Sequence, residues 1–111
     1  MTPEQFFAGY EDKIQEHTKA GLWNYLHHGL DPGSFMMAVL ENDLLRVFGY
    51  ADDDAIRSLK PIVQLIFSRV PSGCYGSKTA IRDHMRAARA NAGILWASYK
   101  EPATSGFVRG L

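Results

Sequence analysis

Gly29-Leu30-Asp31-Pro32-Gly33-Ser34-Phe35 runs without interruption into Met36-Met37-Ala38-Val39-Leu40-Glu41-Asn42-Asp43-Leu44, and the reading of this stretch decides the fold. Gly29 and Gly33 can take backbone conformations closed to other residues, Pro32 presets its own φ, and Asp31, preceding a proline, is pushed out of the helical region. A helix arriving from the N-terminal side therefore ends near His28. Ser34 then stands where an N-cap is wanted, its hydroxyl placed to accept from an orphan amide at Met36 or Met37, and its replacement by alanine is expected to cost ~1 kcal/mol. From Phe35 to about Phe48, Met36, Leu40, Leu44 and Val47 recur at helical spacing, with Met37 and Phe48 widening the face. Phe35, Val39 and Leu45 make the opposite side apolar too, leaving mainly Glu41, Asn42, Asp43 and Arg46 for water. A helix so poor in polar surface is expected to be the central one of a bundle or one half of an interface. Asn42 and Asp43, adjacent on it, either brace a neighbouring segment, as buried polar groups require, or form part of a recognition site.

Working outward, Thr2 can cap a helix that begins at Pro3, with Gln5 placed to complete a capping box. Phe6, Phe7, Tyr10 and Ile14 follow at helical spacing. Gly21 inside a helix costs ~1 kcal/mol, so the pattern predicts one helix, bent if need be, through Leu22, Trp23, Tyr25 and Leu26 to His28. Gly29 suits a left-handed C′ position, and Leu30 the hydrophobic contact of a Schellman ending. Beyond Phe48, Gly49-Tyr50-Ala51 breaks the second helix, and Asp52, Asp53 and Asp54 supply carboxylates to the start of a third, as caps rather than metal ligands. Leu59, Ile62, Val63, Ile66, Phe67 and Val70 are its expected buried stripe; Pro61 either kinks the helix or sets its start at Lys60, and the kinked helix is favoured because Asp54 to Ser58 still reads as helical. Val70-Pro71-Ser72-Gly73-Cys74-Tyr75-Gly76 is a second turn-rich segment. Ser77 then caps a fourth helix reaching about Tyr99, with Ile81, Met85, Ala88, Ala92 and Leu95 inward. Its alanines and Gly93 permit close helix packing. Pro102 ends it, and residues 102–111 are expected to form a flexible tail in which Phe107-Val108 could dock on a neighbour. No segment alternates like a strand. The expectation is an all-α fold: a compact bundle of about four helices in one domain, residues 1–101, around a central and nearly all-apolar second helix.

The chain of 111 residues leaves no room for a second core. Twelve basic residues balance twelve acidic ones, so nucleic acid or an anionic membrane could be bound only through a local patch. A single cysteine, Cys74, excludes an internal disulfide, and a reducing compartment follows more naturally than an oxidising one. The sequence has no apolar run of membrane-spanning length, and its first residues lack a basic region leading into an apolar one. A soluble, cytoplasmic protein without membrane contact is expected.

The most patterned surface feature lies on the fourth helix. Lys78, Arg82, Arg86 and Arg89 are spaced four, four and three apart, which sets them within about 80° of arc, with Trp96 continuing the line. Four aligned cations can grip phosphates or an acidic protein face; the alternative is a solvated face paired with the chain's own carboxylates, such as Asp52 to Asp54. The histidines suggest no metal site: His27 and His28 are adjacent and diverge, while His17 and His84 have no ligand three or four residues away. Cys74 and His84 could make a nucleophile and base, but no third group is evident to orient the histidine, and a packed, inert thiol is the alternative reading. With no phosphate-cradling glycine motif either, neither a catalytic site, a cofactor nor a metal is expected.

Pro32-Gly33-Ser34-Phe35, Ala38-Val39-Leu40 and Asn42-Asp43-Leu44 resemble a family of small bacteriophage and prophage proteins, and the similarity continues through Ala51-Asp52, Ile62-Val63 and Pro71 to Cys74-Tyr75-Gly76-Ser77. It covers about residues 22 to 80 and departs from the family at Tyr75, where tryptophan is the commoner residue. The resemblance implies a phage origin and brings no activity with it. A compact phage protein without catalytic motifs is expected to work by binding. The expected role is inhibition of a host protein or ribonucleoprotein complex, such as a CRISPR complex of bacterial immunity. Lys78, Arg82, Arg86 and Arg89 are candidate contacts, together with the surface around Asn42, Asp43 and Tyr75. The alternatives are a nucleic-acid or nucleotide binder using the same arginines, and a structural or assembly protein of the virion. A homodimer through the second and fourth helices is also open.

Overall fold

A computed structural model of the chain describes residues 1–91, and all regular structure among them is helical. Six α-helices, α1 (Pro3–Phe6), α2 (Glu16–His28), α3 (Ser34–Leu40), α4 (Leu44–Tyr50), α5 (Asp53–Arg69) and α6 (Lys78–Asn91), are joined by turns, with a 3-10 turn at Ser72–Cys74. The all-α expectation holds, and the division into about four helices does not. Each extra break has a local cause. The expected first helix is two, because Phe7 to Gln15 forms successive turns around Gly9, whose φ is +92°. The capping box does form: Thr2 Oγ1 accepts from Gln5 N at 3.2 Å, and Gln5 Oε1 accepts from Thr2 N at 2.8 Å. It closes a single helical turn, and α2 begins afresh at Glu16.

The expected central helix is also two. Asn42 takes φ +63°, and around it the amides of Asn42 and Asp43 donate to Val39 O at 3.1 Å and Ala38 O at 2.9 Å, the bond pattern of a Schellman ending. Asparagine is among the few side chains that tolerate this backbone. Asp43 then caps α4 through Arg46 N at 3.2 Å. The redirected chain keeps Met36, Ala38, Leu40 and Val47 in the core but leaves Leu44, Leu45 and Phe48 exposed at 65%, 85% and 53%. The nearly all-apolar central helix is therefore corrected to a buried α3 and a half-exposed α4. At its start Gly33 is the cap residue, with φ +94°, and Ser34 is the first helical residue with no side-chain capping bond. Gly33 is held by Asp31, whose Oδ1 accepts from its amide at 2.8 Å.

Helix α5 runs continuously through Pro61, which has no amide to give to Arg57 O. Asp52 caps it through Ala55 N at 2.8 Å. Its buried line is Ser58, Ile62, Leu65 and Ile66, whereas Val63 and Phe67 are exposed, so the face turns about one residue from the expected stripe. The reason is the N-terminal turn packed beside it. Arg69 Nη1 donates to Phe6 O and Ala8 O, both at 2.7 Å, and its guanidinium lies 5.1 Å from the Tyr10 ring centre. The core gathers Phe6, Leu22, Tyr25, Leu26, Leu40, Ile62, Leu65 and Ile81 from five of the helices. Residues 92–111, including the continuation of the fourth helix, Trp96 and the expected tail, lie outside the described residues.

Helix α2 ends at Gly29 in a left-handed conformation, φ +70°, with Gly29 N bonded to Tyr25 O at 3.0 Å and Leu30 exposed rather than packed as expected. A Cβ at Gly29 would stand 2.3 Å from Met85 O and 3.1 Å from Arg89 N, so glycine lets α2 meet the backbone of α6. Gly21 plays a similar part against the turn: a Cβ there would lie 3.1 Å from Pro32 O. Urea denaturation of Gly29→Ala should show a loss of at least ~2 kcal/mol, because strained φ and steric overlap add. Asn42→Gly should leave stability unchanged or raise it by up to ~1 kcal/mol, whereas Asn42→Val should lower it by ~1–2 kcal/mol. Equal stability of the two Asn42 variants would contradict the left-handed break.

Candidate functional site

The basic line of α6 is positioned by the turn before it. Tyr25 Oη donates to Cys74 O at 2.6 Å, Gly76 N donates to Leu40 O at 2.7 Å, and Ser77 Oγ accepts from Ala80 N at 3.1 Å as the helix cap. These bonds set the start of α6 beside the end of α3, where Glu41 lies. Glu41 Oε1 takes Lys78 Nζ at 2.9 Å and Arg46 Nη1 at 2.8 Å, with only 11% of its side chain exposed. The Lys78 bond, aided by Arg46 and opposed by burial, holds its carboxyl below the usual range.

Further along, Arg86 is 3.7 Å from Asp83 on its own helix, and Arg89 Nε donates to Gly29 O at 3.1 Å. Arg82 is exposed and makes no ion pair among the described residues. All four cations line one open groove of ≈ 380 Å³, together with the apolar side chains of Met37, Ile81 and Met85 and with Glu41. Ile81 is buried and the two methionines partly so, which makes them its base. Of the chain's own carboxylates, Glu41 pairs with Lys78 and Asp83 with Arg86, as the alternative reading of the stripe expects, whereas Asp52 to Asp54 form no ion pair with it among the described residues.

The other three candidate residues are not part of this groove. Asn42 ends α3, and Asp43 caps α4 while standing 3.5 Å from Arg46, so both brace the chain. Tyr75 is packed against the core, and burial raises its pKa. Glu41, Met37 and Met85 join the groove without any mark in the sequence. Glu41 reads as a solvent-facing residue, and only the approach of α6 gives it a role.

A second constellation brings together the two residues that could have been a nucleophile and base. Cys74 Sγ is 3.4 Å from His84 Nδ1, and His84 Nε2 is 3.0 Å from Leu26 O. The carbonyl can only accept, so Nε2 carries the proton and Nδ1 is left to accept from the thiol. Both residues are sealed, at 0% and 2% exposure. Burial pushes the Cys74 thiol up to about 12 and lowers His84. The pair is thus a neutral thiol and a neutral imidazole, and a thiol in that state is a poor nucleophile. Among the described residues there is no group of three or more metal-ligating side chains, and no helix is long and apolar enough to cross a membrane.

Buried His84 and half-buried His27 give stability a sign with pH. His27, like His84, is lowered first by burial, with help from neighbouring His28 and the N-terminal ammonium, and its Nδ1 is buried without a hydrogen bond. Unfolded imidazoles bind protons near pH 6.5 while these folded ones resist, so the unfolded state holds more protons and stability rises with pH. Stability should therefore be level from pH 8 to 7 and fall as pH drops below about 6.5. Glu41 adds a further loss below about pH 4.3, where the unfolded carboxyl takes up a proton that the folded one, held down by Lys78, resists. Thermal unfolding of His84→Gln should start from a lower Tm but show a shallower fall between pH 7 and 5; an unchanged slope would remove His84 as the cause. No family model, curated protein or solved structure matches the chain.

Proposed function

We propose that the chain is a small phage-encoded binding protein that inhibits a host target, a bacterial immunity component such as a CRISPR complex, by seating the basic face of α6 on that target. One observation carries this reading: Lys78, Arg82, Arg86 and Arg89 line a single groove with an apolar base, on a helix tied at several points to its neighbours. A preformed cationic surface binds with little ordering cost, and complementary charge speeds encounter with an acidic partner. The only thiol and imidazole in contact are buried, which favours binding over chemistry. The phage setting comes from the resemblance in the Pro32–Leu44 and Pro71–Ser77 blocks.

The composition of the groove favours protein over nucleic acid. A bare phosphate would leave Met37, Ile81 and Met85 unmatched and would face the Glu41 carboxylate, whereas carboxylates around an apolar side chain match both. Charge reversal at Arg82 and Arg86 provides the test. In a bacterium whose CRISPR immunity blocks a phage, expression of the chain should restore plaquing and Arg82→Glu/Arg86→Glu should not. Binding to the isolated complex should weaken roughly tenfold or more, with Tm little changed. Restored plaquing by the reversed variant would remove the α6 face from the mechanism. Tight, steeply salt-dependent binding of DNA or RNA by the chain alone would replace this reading with the nucleic-acid one.

A further inference from the structure

On the far side of α2 from its contact with α6, the chain holds a second groove of opposite charge. The turns after α1 bring the N-terminal segment along the first half of α2 and enclose ≈ 420 Å³. Its apolar wall is Phe7 and Trp23, with Ala20 between them. Both rings are held in place: Phe7 meets the edge of Phe6 at 4.8 Å, and Trp23 stacks on His27 at 5.0 Å with 13° between the planes. The rim carries Glu4, Glu11 and Glu16.

The one lysine lining this groove is already engaged. Lys19 Nζ is 2.7 Å from Glu16 Oε2, donates to Glu11 O at 3.0 Å and lies 6.0 Å from the Phe7 ring, with 11% of its side chain exposed. Three carboxylates against one ammonium leave a net negative rim. The N-terminal ammonium acts on His27 but is not among the lining groups. Lys19 also shows what the groove accommodates, an ammonium near an aromatic ring and bonded to a carboxylate. Arginine and lysine combine an apolar stem with a charged head, which suits aromatic walls under an acidic rim. A groove of this volume is of the size that takes a drug-sized ligand or a short peptide rather than a lone ammonium.

We propose that this groove is a docking site for a basic polypeptide segment of a partner, with an arginine or lysine stem against Trp23 and Phe7 and its head among Glu4, Glu11 and Glu16. The site is independent of the α6 face and goes beyond the function proposed above. It would make the chain two-sided, with one face for acidic surface and one for basic.

The test uses the full chain carrying Trp96→Phe, so that Trp23 is the sole tryptophan fluorophore. The probe is an end-blocked nonapeptide of alternating arginine and leucine, and its control has glutamate in place of arginine. The arginine peptide should change Trp23 emission saturably, and the glutamate peptide should not. Glu4→Gln/Glu16→Gln alters two exposed positions and should weaken binding roughly tenfold with the circular dichroism spectrum preserved. Asp53→Asn/Asp54→Asn, which removes the same charge on α5, should leave it unchanged. Absence of a saturable Trp23 response, an equal Trp23 response to both peptides, or equal weakening by the two double variants would overturn the proposal. A dimer in sedimentation that dissociates with Glu4→Gln/Glu16→Gln would assign the groove to a second copy and overturn it as well.

Discussion

The last turn of α2 is the constraint from which the rest of the arrangement follows. A helix leaves its final carbonyls without partners, and burying them unsatisfied is costly. Here α6 supplies two donors to that end: His84 Nε2 to Leu26 O at 3.0 Å and Arg89 Nε to Gly29 O at 3.1 Å. The Arg89 guanidinium also brings positive charge to the negative end of the helix dipole. Gly29 makes this possible by having no Cβ where Met85 O would meet it. Once α6 is fixed in that way, Cys74 Sγ reaches His84 and Tyr25 Oη reaches Cys74 O, so the turn before α6 is fastened to the same helix. A buried cysteine and histidine that suggest catalysis in one dimension are, in three, the fastening between α2, the turn and α6.

This fastening sets where charge is displayed. The chain is formally neutral, with twelve cations and twelve anions, and neutrality in sum says nothing about local fields. Helix α6 turns Ile81, His84 and Ala88 inward, which leaves Lys78, Arg82, Arg86 and Arg89 together on the outer face. The first half of α2 and the segment before it gather Glu4, Glu11 and Glu16 at another place. Two surfaces of opposite sign, each with an apolar base, lie on separate grooves of a chain with no net charge.

What could be read in the sequence was what depends on near neighbours. The Thr2 and Gln5 capping box, the Asp52 and Ser77 caps, the left-handed Gly29 and the passage of α5 through Pro61 are all settled within a few residues. The alignment of the four α6 cations likewise needs only the helical period. The acidic groove was illegible because Glu4, Glu11 and Glu16 converge only after Gly9 turns the chain back, a bend marked by nothing stronger than one glycine in an apolar pattern. The buried face of α5 was misplaced for a similar reason. Leu65 and Phe67 are equally apolar, and the N-terminal turn held by Arg69 decides which of them is covered.

The break at Asn42 is where local and distant effects meet. A straight helix through Leu44 would have continued the row of Met36 and Leu40, and hydrophobic periodicity favours it over any alternative. The left-handed residue prevails because both sides of it are satisfied: two amides close onto α3, and Asp43 opens α4. Glu41, the last residue before the break, then accepts Arg46 from the new helix and Lys78 from α6 on one carboxylate oxygen. Leu44, Leu45 and Phe48 are displayed at the surface by the same change of direction. One residue of unusual backbone thus couples the basic groove to an exposed apolar face, because the carboxylate that borders the first also anchors the helix that carries the second.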